Sequence, residues 1–393
     1  MPFDFLLFTF YLITVMDIKK YKAGSFTKRH GYKSFHPSSI NREWIIAQPA
    51  LNTLLSQANI KLGELNALSM MVPDVDSFIR MHVVKEATLS SRIEGTKTSI
   101  DEAFLEEKDI DPERRDDWQE VQNYITAMNH AIKRLDKLPL SARLLREAHK
   151  LLLQGVRGKH KTPGQFRTSQ NWIGGATLKD AQFVPPVHTL ITELISDLEK
   201  FLHNEDIQVP NLIRIGIAHY QFEVIHPFLD GNGRIGRLLI TLYLVSQNIL
   251  GKPTLYLSAF FEKNRMHYYD NLMNVSMHNN MEQWLKFFLV GIIETATIAM
   301  DTFRKILILK EKLDAKILMK LGKRAANAQA LLLYLYHKPV TTLSDIVKQL
   351  NITKQTASVL IKDFQKLGIL KEQTGFKRNR IFWFDAYLKL FDR

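Results

Sequence analysis

The chain has 393 residues, 46% of them apolar, with 53 Lys or Arg against 40 Asp or Glu for a formal charge of +13. That length exceeds one ordinary core, so two or three domains are expected, and the apolar content is sufficient to bury them. Cysteine is absent, which excludes a disulfide framework, a thiolate nucleophile and a thiolate metal site and leaves His, carboxylates and hydroxyls to carry chemistry. The basic balance suits an anionic partner without choosing between nucleotide, nucleic acid and acidic protein.

Residues 6–16 are an apolar run of 11, too short to span a bilayer. Asp4 precedes it and Asp17-Ile18-Lys19-Lys20 follows, the reverse of the basic start and small-residue exit of a signal peptide. Residues 1–20 therefore read as an apolar extension with Met16 a candidate start, and the protein is expected in the cytoplasm with no membrane partner.

After a loop-like stretch from Tyr21 to Ser39, helical spacing runs from Asn41 to Met71. A further helix, capped by Asp76-Ser77, ends in Ser90-Ser91-Arg92-Ile93-Glu94-Gly95, with Gly95 as its stop. Helical patterns continue over Trp118–Leu135 and, behind a Ser141 cap, over Ser141–Leu153. Residues 154–187 are rich in Gly and Pro and read as a hairpin-like flap interrupting the helices. Helices resume at His188–Leu202, at Asn211–Val224 before Pro227, and from Asn232 through Leu244. A helix over Met281–Leu309 leads through a charged stretch to Gly322.

The tail, residues 326–393, holds 11 Lys or Arg against 5 Asp or Glu. Its expected order is helix 329–337, helix 343–350, helix 354–367 and strands 369–373 and 380–384, the order of a winged helix-turn-helix. Thr353 to Ser358 would open the recognition helix, and Lys377-Arg378-Asn379-Arg380 would form a basic wing.

The densest chemistry lies in His226-Pro227-Phe228-Leu229-Asp230-Gly231-Asn232-Gly233-Arg234-Ile235-Gly236-Arg237, in a turn between two helices. Gly231 and Gly233 permit backbone conformations in which successive N–H groups converge at a helix N-terminus, a place that binds phosphate. Arg234 and Arg237 sit one turn apart on one helical face, and guanidinium forks suit phosphate oxygens. Asp230 offers a hard oxygen of the kind Mg²⁺ takes beside phosphates, and His226 is a base suited to neutral pH.

This segment resembles, without departure, the His-x-Phe-x-(Asp/Glu)-Gly-Asn-Gly-Arg-x-x-Arg signature of the Fic family, whose members mostly transfer AMP from ATP to Ser, Thr or Tyr hydroxyls of target proteins. The resemblance implies a mainly α fold. It comprises a helical arm over 21–135 that carries an inhibitory helix, a catalytic core over 136–300 with a small β-hairpin flap, a helical linker over 301–325 and a winged helix over 326–393. It also implies ATP and Mg²⁺ as cofactors. His226 would deprotonate the target hydroxyl and Asp230 would hold Mg²⁺. Gly231, Asn232 and Gly233 would cradle the α- and β-phosphates, and Arg234 would pair with phosphate oxygens. Tyr268 would meet the adenine, and Phe228 would pack the loop into the core.

Ser90-x-x-x-Glu94-Gly95 is similar to the inhibitory motif of the same family. The resemblance implies that Glu94 occupies Arg237, the arginine due to the ATP γ-phosphate. Two alternatives stay open at this stage: a DNA-binding regulator whose core senses nucleotide, and a Fic enzyme that removes AMP with the help of Glu94. Expected partners are ATP and a hydroxyl-bearing protein, with DNA open through the tail and a homodimer suited to the regulatory arm.

Overall fold

The computed structural model describes residues 15–71, 75–155, 159–376 and 378–391. The apolar extension up to residue 14, and Lys377 of the basic wing, lie outside the described residues. The chain opens with strands β1 (Val15–Asp17), β2 (Gly24–Lys28), β3 (Lys33–Pro37) and β4 (Glu43–Ile45). Helices α1 (Pro49–Met71), α2 (Val75–Ile93), α3 (Arg115–Arg134), α4 (Ala142–Leu152), α5 (Ile191–His203), α6 (Asn211–Ile225), α7 (Asn232–Ser246), α8 (Ser258–Lys263), α9 (Arg265–His278) and α10 (Met281–Leu321) follow. The C-terminal region contains α11 (Ala325–His337), β5 (Val340–Thr342), α12 (Leu343–Leu350), α13 (Lys354–Lys366), β6 (Lys371–Glu372), β7 (Ile381–Trp383) and α14 (Asp385–Leu388). The protein is thus mainly helical, and no described helix is long and apolar enough to cross a membrane.

Two expectations about the arm need correction. The stretch read as loop contains the β2–β3 hairpin, in which Phe26 faces Phe35 across the antiparallel pair. One aromatic residue per strand is too faint a pattern to register as alternation. The helix begins at Pro49 and not at Asn41. Trp44 is drawn into β4 instead, where it pairs with Met16, packs tilted against Tyr21 with ring centroids 4.7 Å apart and donates from Nε1 to Ile40 O at 3.0 Å. Proline at the first helical position, with its fixed φ, then opens α1.

The helix expected over Met281–Leu309 and the charged helix-like stretch after it form one helix, α10, which runs unbroken through residue 301 to Leu321. Buried Ile306, Leu313, Ile317 and Leu321 keep the 3.6-residue period across that point.

The chain divides into two compact units. The first holds residues 15–56, Arg167–Pro227 and Tyr268–Leu289. Its centre is α6, buried on nearly all sides, with Arg214, His219 and Gln221 among its buried residues. Gly216 lets the start of α10 close on α6: a β-carbon there would lie 2.7 Å from Leu285, and Trp284 Nε1 donates to Gly216 O at 2.8 Å. Arg214 of α6 turns back to the end of α5, donating to Phe201 O at 3.1 Å and Asn204 O at 2.7 Å, which satisfies carbonyls that a helix terminus leaves open.

The second unit holds residues 57–166, Phe228–His267 and 290–391. Here α3 packs on α2, α4 and α7, and α2 also packs on α7 and α8. The stripe Val121, Tyr124, Ala127, Met128 and Ala131 supplies the buried face of α3. Ser141 caps α4 through Leu144 N, as expected. In the C-terminal region the expected helices form, Asn351 takes a left-handed turn with φ of 52°, and β5, β7 and β6 make an antiparallel sheet in that order. The short β5 was not anticipated, since Pro339 beside it reads only as a break.

Candidate active site

The motif crosses from the first unit into the second between Pro227 and Phe228. On the first side, α6 ends at His226, whose φ of 49° and ψ of 59° are left-handed. Its ring Nδ1 lies 3.2 Å from Glu223 O, a carbonyl that can only accept. The neutral ring therefore carries its proton on Nδ1 and its lone pair on Nε2, the form a general base needs. The His226 carbonyl is held by Arg167 Nε at 2.9 Å and Asn171 Nδ2 at 3.1 Å. Arg167 is almost wholly buried and also donates to Ser169 O, Pro186 O and Ile225 O. Burial lowers its pKa to about 10, so it stays charged near neutrality. Sequence reasoning missed Arg167; a lone arginine in a Gly- and Pro-rich stretch gives no signal of such a role.

On the second side, Gly231 has φ of 77° and leads into α7. A β-carbon at Gly231 would meet Leu152 at 3.0 Å. Asn232, expected to cradle phosphate, has its side chain turned inward: Oδ1 accepts from Phe228 N at 2.8 Å and Nδ2 donates to Phe228 O at 2.9 Å. Its amide ties the loop shut, so this side chain is not free for a ligand and only backbone N–H groups at the start of α7 are left for that expected role.

Phe228 is fully buried, as expected, and stacks on His149 with ring centroids 3.7 Å apart. Gly164 N donates to His149 Nδ1 at 2.8 Å, so Nε2 bears the proton and donates to Asp230 O at 3.0 Å. Burial lowers the His149 pKa to about 4, which keeps this neutral clamp intact near pH 7. His149, too, was not foreseen, because a histidine on an amphipathic helix looks like any other.

Arg234 and Arg237 are buried at 3% each. Arg234 Nη1 pairs with Glu120 Oε2 at 3.1 Å and its Nη2 lies 3.6 Å from Asp230 Oδ1, while Tyr124 donates to Arg234 O at 2.8 Å. Arg237 donates from Nε to Ser90 Oγ at 2.8 Å, from Nη2 to Ser90 O at 3.0 Å and from Nη2 to Glu94 Oε1 at 2.6 Å. A β-carbon at Gly233 would fall 2.4 Å from Glu94 Oε1. The carboxylate thus lies against the first turn of α7, where unpaired N–H groups favour negative charge.

No cluster of three or more metal-binding side chains occurs among the described residues. Asp230 nevertheless fits a magnesium ion. Its side chain is 44% exposed, and a single carboxylate suits an ion that takes most of its ligands from phosphate oxygens and water.

Tyr268 does not meet the role expected of it. It is 1% exposed, and its hydroxyl lies 2.9 Å from His219 Nε2. It is a core tyrosine with a satisfied hydroxyl, whereas its neighbour Tyr269 is 41% exposed. The flap is narrower than a full hairpin. Ile173 and Phe183 form one antiparallel bridge, Phe35 N donates to Val184 O at 2.9 Å, and Asp180 accepts from Ala176 N and Thr177 N at the tip.

Residues 52–133 match the Fic/DOC family N-terminal domain and residues 139–244 the Fic/DOC family domain. A probable protein adenylyltransferase of Aquifex aeolicus is 32% identical over 175 residues, 43% of this chain and 50% of that protein. A protein adenylyltransferase of Caenorhabditis briggsae is 28% identical over 160 residues, 38% of this chain and 28% of that protein. The chain therefore spans half or less of the length of these curated relatives. In fold it is similar to a Fic family protein of Desulfovibrio desulfuricans, with a TM-score of 0.53 at 19% identity over 86% of this chain and 97% of that one. A Fic domain containing signaling protein of Bacteroides thetaiotaomicron gives a TM-score of 0.51 at 16% identity, covering 65% of this chain and 97% of that one. With its signature loop at 226–237 and both domains matched in order, the chain carries the N-terminal and Fic domains of the Fic/DOC family.

Proposed function

We propose that the chain is a protein adenylyltransferase that moves AMP from ATP to a Ser, Thr or Tyr hydroxyl of a target protein and is restrained by Glu94. The observation that carries this reading is the carboxylate of Glu94 against Gly233 at the start of α7, paired with buried Arg237. Helix N-terminus and guanidinium together suit an anion, and an internal anion takes the position that the γ-phosphate of ATP would need.

In the transfer step, Nε2 of His226 takes the proton as the target oxygen attacks the α-phosphorus. The bond from that phosphorus to the oxygen bridging to the β-phosphate breaks, and pyrophosphate departs with the negative charge. Backbone N–H groups at Gly231 and Gly233, together with Arg234, stabilise that charge, and fixed donors of this kind lower the barrier because they need no reorganisation. Asp230 would hold a magnesium ion, which would supply positive charge against the phosphates. The bridge at Ile173 and Phe183 gives a target segment its docking edge.

For residues 325–391 we retain the winged-helix reading. It is supported by the order of three helices and a three-stranded sheet and by two capped helices flanking Asn351. Intact-mass analysis after incubation with ATP and Mg²⁺ tests the whole reading. One AMP unit on Glu94→Gly protein or on an added target, absent from His226→Ala, is the expected result. No transfer by Glu94→Gly would overturn it, and salt-dependent binding to a defined operator would then favour a DNA-binding regulator.

A further inference from the structure

The segment from Ile18 to Arg42 holds seven Lys or Arg and no Asp or Glu. Within it, Lys28-Arg29-His30-Gly31-Tyr32-Lys33 makes the turn end of the β2–β3 hairpin, closed by Arg29 N donating to Tyr32 O at 2.8 Å. Lys28 and Lys33 stand directly opposite one another in the register, a relation in which like charges destabilise a strand pair. Both are exposed, as is Arg29. Folding gains nothing from such a cluster, whereas a partner of opposite charge would relieve it.

The place of the cluster bears on what that partner is. Side chains directly opposite share a face and faces alternate along a strand, so the pair Lys28–Lys33 continues the face that carries Phe26 and Phe35. Those two rings pack on the flap, with Phe183 at 6.5 Å from Phe26 and 5.6 Å from Phe35 between centroids. The flap backbone joins the same strip, because Phe35 N donates to Val184 O at 2.9 Å. The lysines therefore stand on the aromatic face of one strip of hairpin and flap, about 7 Å along the strands from the rings. All these residues belong to the first unit.

The one acid within 171–186, Asp180, is engaged in its own turn, where it accepts from Ala176 N at 2.8 Å and Thr177 N at 2.7 Å. The flap bridge at Ile173 and Phe183 presents strand backbone, which recognises an extended peptide through main-chain groups that a nucleic acid lacks. A basic face on the same strip fits a peptide that also carries carboxylates.

We propose that Lys28, Arg29 and Lys33 receive acidic residues flanking the hydroxyl of a protein target, so that AMP goes to hydroxyls set in acidic sequence. The preference in transfer rests on the reading of the chain as an adenylyltransferase, while binding of an acidic segment does not.

The probes are a fluorescein-labelled peptide with Ser, Thr and Tyr among glutamates and its counterpart with glutamine at every glutamate. Anisotropy on the full chain should show saturable binding of the glutamate peptide, at least about tenfold tighter than the glutamine peptide and weakening as salt rises. Affinity should fall about tenfold in Lys28→Thr combined with Lys33→Thr, as loss of two charge contacts implies. The unfolding transition of that variant should be no lower than that of the wild type, because facing like charges are gone and threonine suits a strand. Equal affinity for the two peptides, full retention in the double variant, or displacement by an equimolar amount of single-stranded DNA would overturn the site. In Glu94→Gly, AMP should pass to the glutamate peptide at least about fivefold faster than to the glutamine peptide, with the difference lost when Lys28 and Lys33 are also replaced. Binding without that difference would overturn the preference alone, and an inactive Glu94→Gly would instead sink the catalytic reading while the binding result stood.

Discussion

Glu94 leaves no room for a side chain at Gly233: a β-carbon placed there would sit 2.4 Å from the carboxylate oxygen and 2.9 Å from Arg237 Nη1. The glycine at the start of α7 and the acid at the end of α2 are therefore fitted to one another in the resting protein.

Gly233→Ala should accordingly destabilise the resting protein, and Glu94→Gly in the same chain should remove part of that loss. Thermal or denaturant unfolding of the two single variants and the double variant gives the coupling, expected at about 1 kcal/mol. Strict additivity would mean that the two residues do not share space.

Removing the acid should release activity while weakening the fold. Arg237 is buried, but Glu94 is about a third exposed and Ser90 still holds the guanidinium, so the stability loss should be about 1–2 kcal/mol, less than for a fully buried pair. AMP transfer should rise at least roughly tenfold, as loss of one charge-assisted hydrogen bond allows. Glu94→Gln should lie between, and His226→Ala combined with Glu94→Gly should be silent. Labelled-ATP transfer beside a melting curve reads both effects.

Arg234 is shared between Glu120, at 3.1 Å, and Asp230, at 3.6 Å. In Glu120→Ala the guanidinium is free to close on Asp230 and compete for its carboxylate. Transfer should then need more Mg²⁺ and fall about tenfold at limiting metal, with Glu120→Gln less affected. Titration of Mg²⁺ at fixed ATP is the measurement; an unchanged Mg²⁺ dependence would remove Glu120 from this role.

The stability of the fold should decline in acid through His82. Burial lowers its folded pKa to about 3, with Lys85 acting in the same direction, against about 6.5 in the unfolded chain. Between those values the unfolded state binds the extra proton, so stability is full above about pH 6.5 and is lost as pH falls towards 3. His149, at about 4, adds to the same slope. In His82→Phe the curve from pH 6.5 to 4.5 should flatten, as unfolding monitored across pH would show.

The family's signature segment was legible because it is local: histidine, carboxylate, glycines and arginines all fall within 226–237. Long helices with strong periods, such as α3 and α4, were legible for the same reason. Residues that act through distant carbonyls left no trace in the sequence. Arg167 holding His226 O, and His149 holding Asp230 O, are examples, since their partners lie 59 and 81 positions away. Of the tyrosine pair 268–269, spacing could not say which ring turns inward, and burial chose Tyr268. The β2–β3 hairpin was missed because a strand is stabilised by its neighbour more than by its own composition.

His226 holds a left-handed backbone, φ 49°, directly before a proline. Such a posture costs a residue with a β-carbon about 1–2 kcal/mol, and it persists because Arg167 and Asn171 grip the carbonyl. Asparagine, more at ease in that region, would relax the turn and extinguish the base in one step. On the proposed mechanism, a change to asparagine at this position runs downhill in conformational energy while it costs the reaction its base.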